Sequence, residues 1–245
     1  MLRTIWSITF GVLSTFTFAS AAVISGLFNP YSNFSNAIVR VWAKSLLWAS
    51  GITVDILGQE KLDLQQPVIY MANHQSTFDI MAGVVAIPGT VRFIAKKELF
   101  RIPVFAQGMR MVGMISIDRG NSREAQKSLA DAAERMKRGV SVIIFPEGTR
   151  SRDGKIHRFK KGGFVLAIKG KFPIVPVVIR GSFGIMRKKS LKVGQGKIEV
   201  EFLPAVSTQS YSYEQRNILL REVYKQITDG FAKESSGEKV NAEKL

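Results

Sequence analysis

Hydrophobic and polar positions change their spacing several times along the chain, and each change marks an element. From Thr4 to Val39 no residue is charged, and Ile5 to Phe28 is apolar enough, at about 1.5 Å per helical residue, to reach across a hydrocarbon core of about 30 Å. Ser7, Thr9, Ser14, Thr15, Thr17, Ser20 and Ser25 interrupt this run. The segment therefore spans a bilayer, lies in its interface or packs on another helix. A cleaved signal peptide is the rival reading, because Arg3 supplies a basic start and Ala19-Ser20-Ala21 has the A-x-A form of a cleavage site.

The next stretch, Ile38 to Ile52, predicts a second helix. It puts Val41, Trp42, Ser45, Leu46, Trp48, Ala49 and Ile52 on one side and Arg40 and Lys44 on the other. Such a helix either lies at a membrane surface with its tryptophans at headgroup depth or covers a domain core. Both alternatives give a two-helix amino-terminal unit, expected over residues 1–58.

Beyond Pro67, short apolar runs alternate with helical patterns: Val68–Met71, a helix from about Thr77, Val91–Ala95, Met114–Ile117, a helix over 122–138, and Val140–Phe145. Ile174–Ile179 and Ile198–Leu203 read as further strands, and Ile218, Leu219, Val223, Ile227 and Phe231 repeat at helical spacing. This alternation predicts an α/β domain over residues 59–234, with a mixed, largely parallel sheet flanked by helices. The polar residues 235–245 read as a disordered tail.

Composition narrows the chemistry. The 245 residues, 46% of them hydrophobic, suffice for one sizeable core. Lys and Arg number 35 against 19 Asp and Glu, a net charge of +16 that attracts anionic headgroups, phosphorylated substrates or nucleic acid. The absence of cysteine excludes disulfides and thiolate chemistry, and two histidines make a multi-His metal site an unpromising reading.

One of those histidines stands in Asn73-His74-Gln75-Ser76-Thr77-Phe78-Asp79, just after an apolar run. In an unbroken helix, five steps of about 100° would set His74 and Asp79 apart. They meet only if the helix starts between them. Ser76 as N-cap with Asp79 three positions on forms a capping-box pattern that permits this. Asp79 then either only caps the helix or also orients His74 as a general base.

A second stretch follows the strand at 140–145: Pro146-Glu147-Gly148-Thr149-Arg150-Ser151-Arg152. Loops at the carboxyl ends of strands carry ligands in α/β sheets, and Arg150 offers a planar fork suited to phosphate. The basic run Lys155 to Lys161 is either a solvated face or a site for anionic lipid or a phosphorylated carrier. The run Met111 to Arg119 also ends in an acid and an arginine, Asp118 and Arg119.

In order along the chain, these segments resemble the glycerolipid acyltransferase family, most closely the 1-acyl-sn-glycerol-3-phosphate acyltransferases. N-H-x-x-x-x-D is Asn73 to Asp79, a second block runs from Lys96-Lys97-Glu98-Leu99 through Gly113 to Ile117-Asp118-Arg119, F-P-E-G-T-R-S is Phe145 to Ser151, and an apolar block with a central proline is Ile174 to Val178. The resemblance implies acyl transfer from acyl-CoA or acyl-carrier protein to the 2-hydroxyl of lysophosphatidic acid, giving phosphatidic acid. His74 is then the base and Asp79 its orienting partner. Glu147, Gly148, Thr149 and Arg150 are expected to bind the glycerophosphate, with Arg119 and Lys96 as further phosphate contacts and Pro176 shaping the pocket.

No cofactor, metal or nucleic acid is expected, while membrane lipids are expected partners. The positive-inside tendency puts the domain on the cytoplasmic side of an inner membrane. The alternatives are a related acyltransferase with another acceptor (glycerol 3-phosphate, another lysophospholipid or a lyso-ornithine lipid) and a non-enzymatic protein that binds anionic lipid.

Overall fold

The computed structural model of the chain describes residues 1–62, 65–118 and 120–242, with the backbone alone for 122 and 234–242. The elements are α1 (Leu2–Phe28), α2 (Asn33–Ala49), β1 (Ile52–Leu57), β2 (Ile69–Ala72), α3 (Phe78–Ala86), β3 (Val91–Lys96), α4 (Phe105–Met111), β4 (Ile115–Ile117), α5 (Ser122–Lys137), β5 (Ser141–Ile144), α6 (Gly162–Gly170), β6 (Ile174–Arg180), α7 (Ser182–Ile185), β7 (Gly196–Phe202) and α8 (Arg216–Ala242).

The strands form one seven-stranded sheet in the order β1-β7-β6-β2-β5-β3-β4. From β6 to β4 every pairing is parallel, β7 runs antiparallel to β6, and β1 runs parallel to β7. The mixed, largely parallel sheet is thus as the alternation predicts. Central β2 shows why its run is apolar without alternation: Tyr70 and Ala72 enter the core that α2 and α3 cover, while Ile69 and Met71 enter the core beneath α5, α6 and α8.

Several boundaries differ from expectation. β1 lies before the boundary expected at residue 58, yet it pairs with β7 as a full member of the sheet. The amino-terminal unit proper therefore ends with α2. Residues 235–242, expected in a disordered tail, continue α8, and 243–245 lie outside the described residues.

The two amino-terminal helices pack as a pair, and the serines of α1 explain how. Ser7, Ser14 and Ser25 are buried, with Ser14 bonded to Ser45 at 2.9 Å and Ser25 to Ser35 at 2.6 Å. Outward on the same helix, Trp6, Val12, Leu13, Phe16, Ile24 and Leu27 are exposed. Its three buried serines point in and large apolar side chains point out, the reverse of a water-soluble helix, while Thr17 and Ser20 on the outside bond back to the carbonyls of Leu13 and Phe16. α1 is also long and apolar enough to cross a membrane.

Expectation and structure part over α2. Ile38, Val39, Ala43, Leu46 and Leu47 enter the core, while Val41 and Trp48 face outward. Arg40 does not sit on a solvated face: its guanidinium donates to the carbonyls of Val84, Ile87 and Gly89 at the end of α3. A cation there answers both the orphan carbonyls and the negative end of the helix dipole.

Candidate active site

Two loops at the carboxyl ends of neighbouring parallel strands make the site, one after β2 and one after β5. The first is pinned by Asn73, fully buried, whose side chain donates to the Ile179 carbonyl at 2.8 Å and accepts the Ile179 N–H at 2.7 Å. An asparagine here replaces the next rung of the β2–β6 ladder with side-chain bonds, so the chain can turn away from the sheet and still satisfy β6.

That turn brings His74 to Asp79. Asp79 Oδ2 lies 2.8 Å from His74 Nδ1 and also accepts the N–H groups of Gln75 at 2.6 Å and Ser76 at 2.8 Å. The carboxylate is fully buried and the imidazole nearly so. Only half of the expected capping box forms. Asp79 reaches back to the Ser76 N–H, but the Ser76 hydroxyl donates to the Met186 carbonyl at 2.9 Å, and Thr77 is the residue at the cap. With Nδ1 held by the carboxylate, Nε2 is left for a ligand. The ring stacks on Phe145, centroids 4.0 Å apart, which fixes its plane.

Glu147 joins the two loops. Its Oε1 accepts the His74 N–H at 2.8 Å and its Oε2 accepts the His157 N–H at 3.0 Å. Burial pushes its pKa up against these two donors, which pull it down. Sequence resemblance marks Glu147 for the glycerophosphate. In the structure its carboxylate is buried and spent on backbone, and Glu147 is not among the residues lining the cleft. A carboxylate also repels phosphate, and both of its oxygens already accept backbone N–H groups of the two loops.

The cleft itself has room for about 1000 Å³. His74, Thr77, Gly148, Thr149, Arg150 and Lys96 line it on the sheet side, and α1 supplies part of the opposite wall through Ile8, Val12 and Phe16. Arg150 donates from one guanidinium nitrogen to the Thr77 hydroxyl at 2.7 Å, at the start of α3. Gly148 adopts a positive φ of 71°, which favours glycine, while a Cβ there would meet only the flexible end of the Lys160 side chain at 2.9 Å. Lys96 pairs with Glu98 at 3.3 Å with both side chains about half exposed, which leaves its ammonium weakly held.

Of the remaining expectations, Arg119 lies outside the described residues. Its neighbour Asp118 accepts from Lys97 at 2.5 Å. Pro176 sits inside the sheet opposite Met71 and does not line the cleft. Lys160 and Lys188 do line it. A stretch without any acid from residue 154 to residue 198 was the available hint to them. Asp153, the last acid before that stretch, is held near a pKa of about 2 by the Lys155 N–H, the Ser151 hydroxyl and the His157 ring.

A family model described as Acyltransferase matches residues 53–180. A 1-acyl-sn-glycerol-3-phosphate acyltransferase of Cocos nucifera is 34% identical over 203 residues, 82% of this chain and 65% of that protein. The alpha form of the same enzyme from Homo sapiens is 32% identical over 173 residues, 70% of this chain and 61% of that one. The chain thus spans slightly less than two thirds of the length of either relative. The crystal structure of the 1-acyl-sn-glycerophosphate (LPA) acyltransferase PlsC from Thermotoga maritima superposes with a TM-score of 0.82 at 25% identity, covering 96% of this chain and 95% of that one.

Proposed function

The chain belongs to the acyltransferase family, and on that premise we propose that it moves an acyl group from acyl-CoA or acyl-carrier protein to the sn-2 hydroxyl of 1-acyl-sn-glycerol 3-phosphate, forming phosphatidic acid. The observation that carries the reading is the buried His74–Asp79 pair, 2.8 Å apart, at a cleft that Arg150 also lines.

In this reading Asp79 holds the proton on Nδ1, so that Nε2 is the basic nitrogen. The acceptor hydroxyl gives its proton to Nε2 as its oxygen attacks the thioester carbonyl carbon. The tetrahedral oxyanion collapses, the C–S bond breaks, and the departing thiolate takes up the proton from the imidazolium. Base assistance of this kind is worth about 10² to 10⁴ in rate. Arg150 binds the phosphate of the acceptor, with Lys96 as a second contact in the same cleft. Gly148 and Thr149 shape that seat, and Glu147 keeps His74 in register with it.

The amino-terminal helices dock the domain on a membrane. The outward apolar face of α1 enters the hydrocarbon, Trp48 of α2 lies toward the headgroups, and the basic surface holds the domain against anionic lipid on the cytoplasmic face. A lysophospholipid then reaches the cleft along α1 without crossing water.

The test is an assay of the purified protein in detergent with lysophosphatidic acid and either acyl-CoA or acyl-carrier protein. Phosphatidic acid is the expected product. Acylation of glycerol 3-phosphate or a lyso-ornithine lipid in preference would replace the acceptor assignment, and no transfer to any acceptor would end the reading.

A further inference from the structure

The segment after α7 is fastened to the His74 loop by the bond from the Ser76 hydroxyl to the Met186 carbonyl. Two residues on, Lys188 enters the same cleft as His74 and Arg150. Its ammonium donates to the Thr149 hydroxyl at 2.7 Å and the Arg150 carbonyl at 2.9 Å. An ammonium has three N–H donors, so a third remains for a ligand. The charged groups that act on it are Arg152, Arg150 and Lys189, all cationic; burial and these neighbours together lower its pKa. Among the described residues no carboxylate pairs with it. A half-buried lysine surrounded by like charge is a position that an anion relieves.

We infer that Lys188 and Arg150 together seat a phosphate monoester, and that Lys188 gives the site its selectivity for a phosphorylated acceptor. The inference rests on the acyltransferase reading and adds a specificity residue to it. A phosphate monoester carries close to two charges at neutral pH, so Arg150 alone leaves about one unbalanced; Lys96, the other expected contact, is already paired with Glu98, whereas Lys188 is bonded to the Thr149–Arg150 segment itself and has no carboxylate partner among the described residues. Two sources offer that chemistry: the headgroup of the acceptor and the 3′-phosphate of a CoA donor. The acceptor is the better match. Its phosphate and its reacting hydroxyl sit on adjacent glycerol carbons, so the phosphate must lie near His74. The nucleotide phosphate of CoA is removed from the thioester by the whole pantetheine arm.

The experiment compares wild type with Lys188→Gln, Lys188→Arg and, as an exposed control, Lys189→Gln. Steady-state kinetics are measured with lysophosphatidic acid and with 1-monoacylglycerol, and melting is followed with and without sn-glycerol 3-phosphate. Lys188→Gln is expected to raise KM for lysophosphatidic acid about 10-fold or more. It should change donor KM and turnover of monoacylglycerol far less than KM for lysophosphatidic acid, and lose the stabilisation by glycerol 3-phosphate, while Lys188→Arg recovers most of the affinity and the stabilisation. Equal losses with the two acceptors would reduce Lys188 to a support for the 149–150 loop and overturn the inference. A rise in donor KM alone would overturn it in favour of the CoA phosphate. Wild type that shows no preference for the phosphorylated acceptor would sink the underlying reading instead, whatever Lys188 does.

Discussion

Replacing Glu147 by glutamine separates a loop clamp from a substrate ligand, because the two roles fail in different ways. The carboxylate accepts two backbone N–H groups, one from His74 at 2.8 Å and one from His157 at 3.0 Å. An amide has one oxygen and one NH₂, so in either orientation a donor faces a donor inside a buried site. Losing one charge-assisted bond and stranding a buried N–H costs roughly 1.5–3 kcal/mol. Burial already disfavours the charge, so neutralising it returns part of that cost and the lower end applies. At about 2–4 °C per kcal/mol for a chain of this size, the melting temperature should fall by about 3–6 °C. Displacement of the His74 backbone should lower kcat about 10- to 100-fold, equally for phosphorylated and unphosphorylated acceptors. Calorimetry and paired kinetics read both effects. A selective rise in KM for lysophosphatidic acid, with kcat and melting temperature unchanged, would mean that Glu147 touches the phosphate and that the clamp argument is wrong. The sign of the pH effect follows as well. The pKa is raised above its usual 4.5, so the folded state takes up this proton first and acidification through that window favours folding at this site.

Three further outcomes are expected. His74→Ala should reduce acyl transfer by at least about 10² to 10⁴ while vesicle flotation stays intact; near-normal turnover by the folded variant would remove the base assignment. Arg150→Ala should raise KM for the phosphate-bearing acceptor more than for the thioester, and equal changes in both would make it a support for Thr77 and α3. The bonds around Asp153 should persist far into acid: its carboxyl is depressed from 3.8 to about 2, so its contribution is present above 3.8 and is lost as the pH falls toward 2. An amide-shift titration of Lys155 with its midpoint near 3.8 would contradict the bond between that N–H and the carboxylate.

How far the sequence goes in showing this depends on how local each determinant is. α5 is legible because its cap is local: Asn121 accepts the N–H groups of Arg123 at 3.0 Å and Glu124 at 3.2 Å. The central strands are legible because burial on both faces demands unbroken apolar runs. β1 falls within the range expected for the helical unit because its partner among the described residues, β7, lies far along the chain. α4 and α6 are short, carry glycines at tight approaches to α1 and the sheet, and have no side-chain cap to announce them. The meeting of His74 and Asp79 was legible as a condition, a helix starting between them. The role of Glu147 was not, because it depends on the backbone of His157 returning to the site.

α1 carries the same lesson to the membrane. Its serines look like interruptions in a spanning segment when only composition is considered. Ser7, Ser14 and Ser25, spaced by seven and by eleven, fall on one helical face, and that face meets α2. Leu13 is 64% exposed and Leu27 72% on the opposite side. Each such side chain contributes about 1.5–3 kcal/mol when it leaves water, so the outer face favours an apolar surrounding. The same helix walls the cleft and bonds through Thr4 to the N–H of Val193, seven positions after the carbonyl that Ser76 grips. Anchor and site are therefore one structure. With α1 seated in lipid as proposed, the same helix sets one wall of the cavity that His74 lines, so detergent that loosens α1 should change substrate KM before it unfolds the sheet.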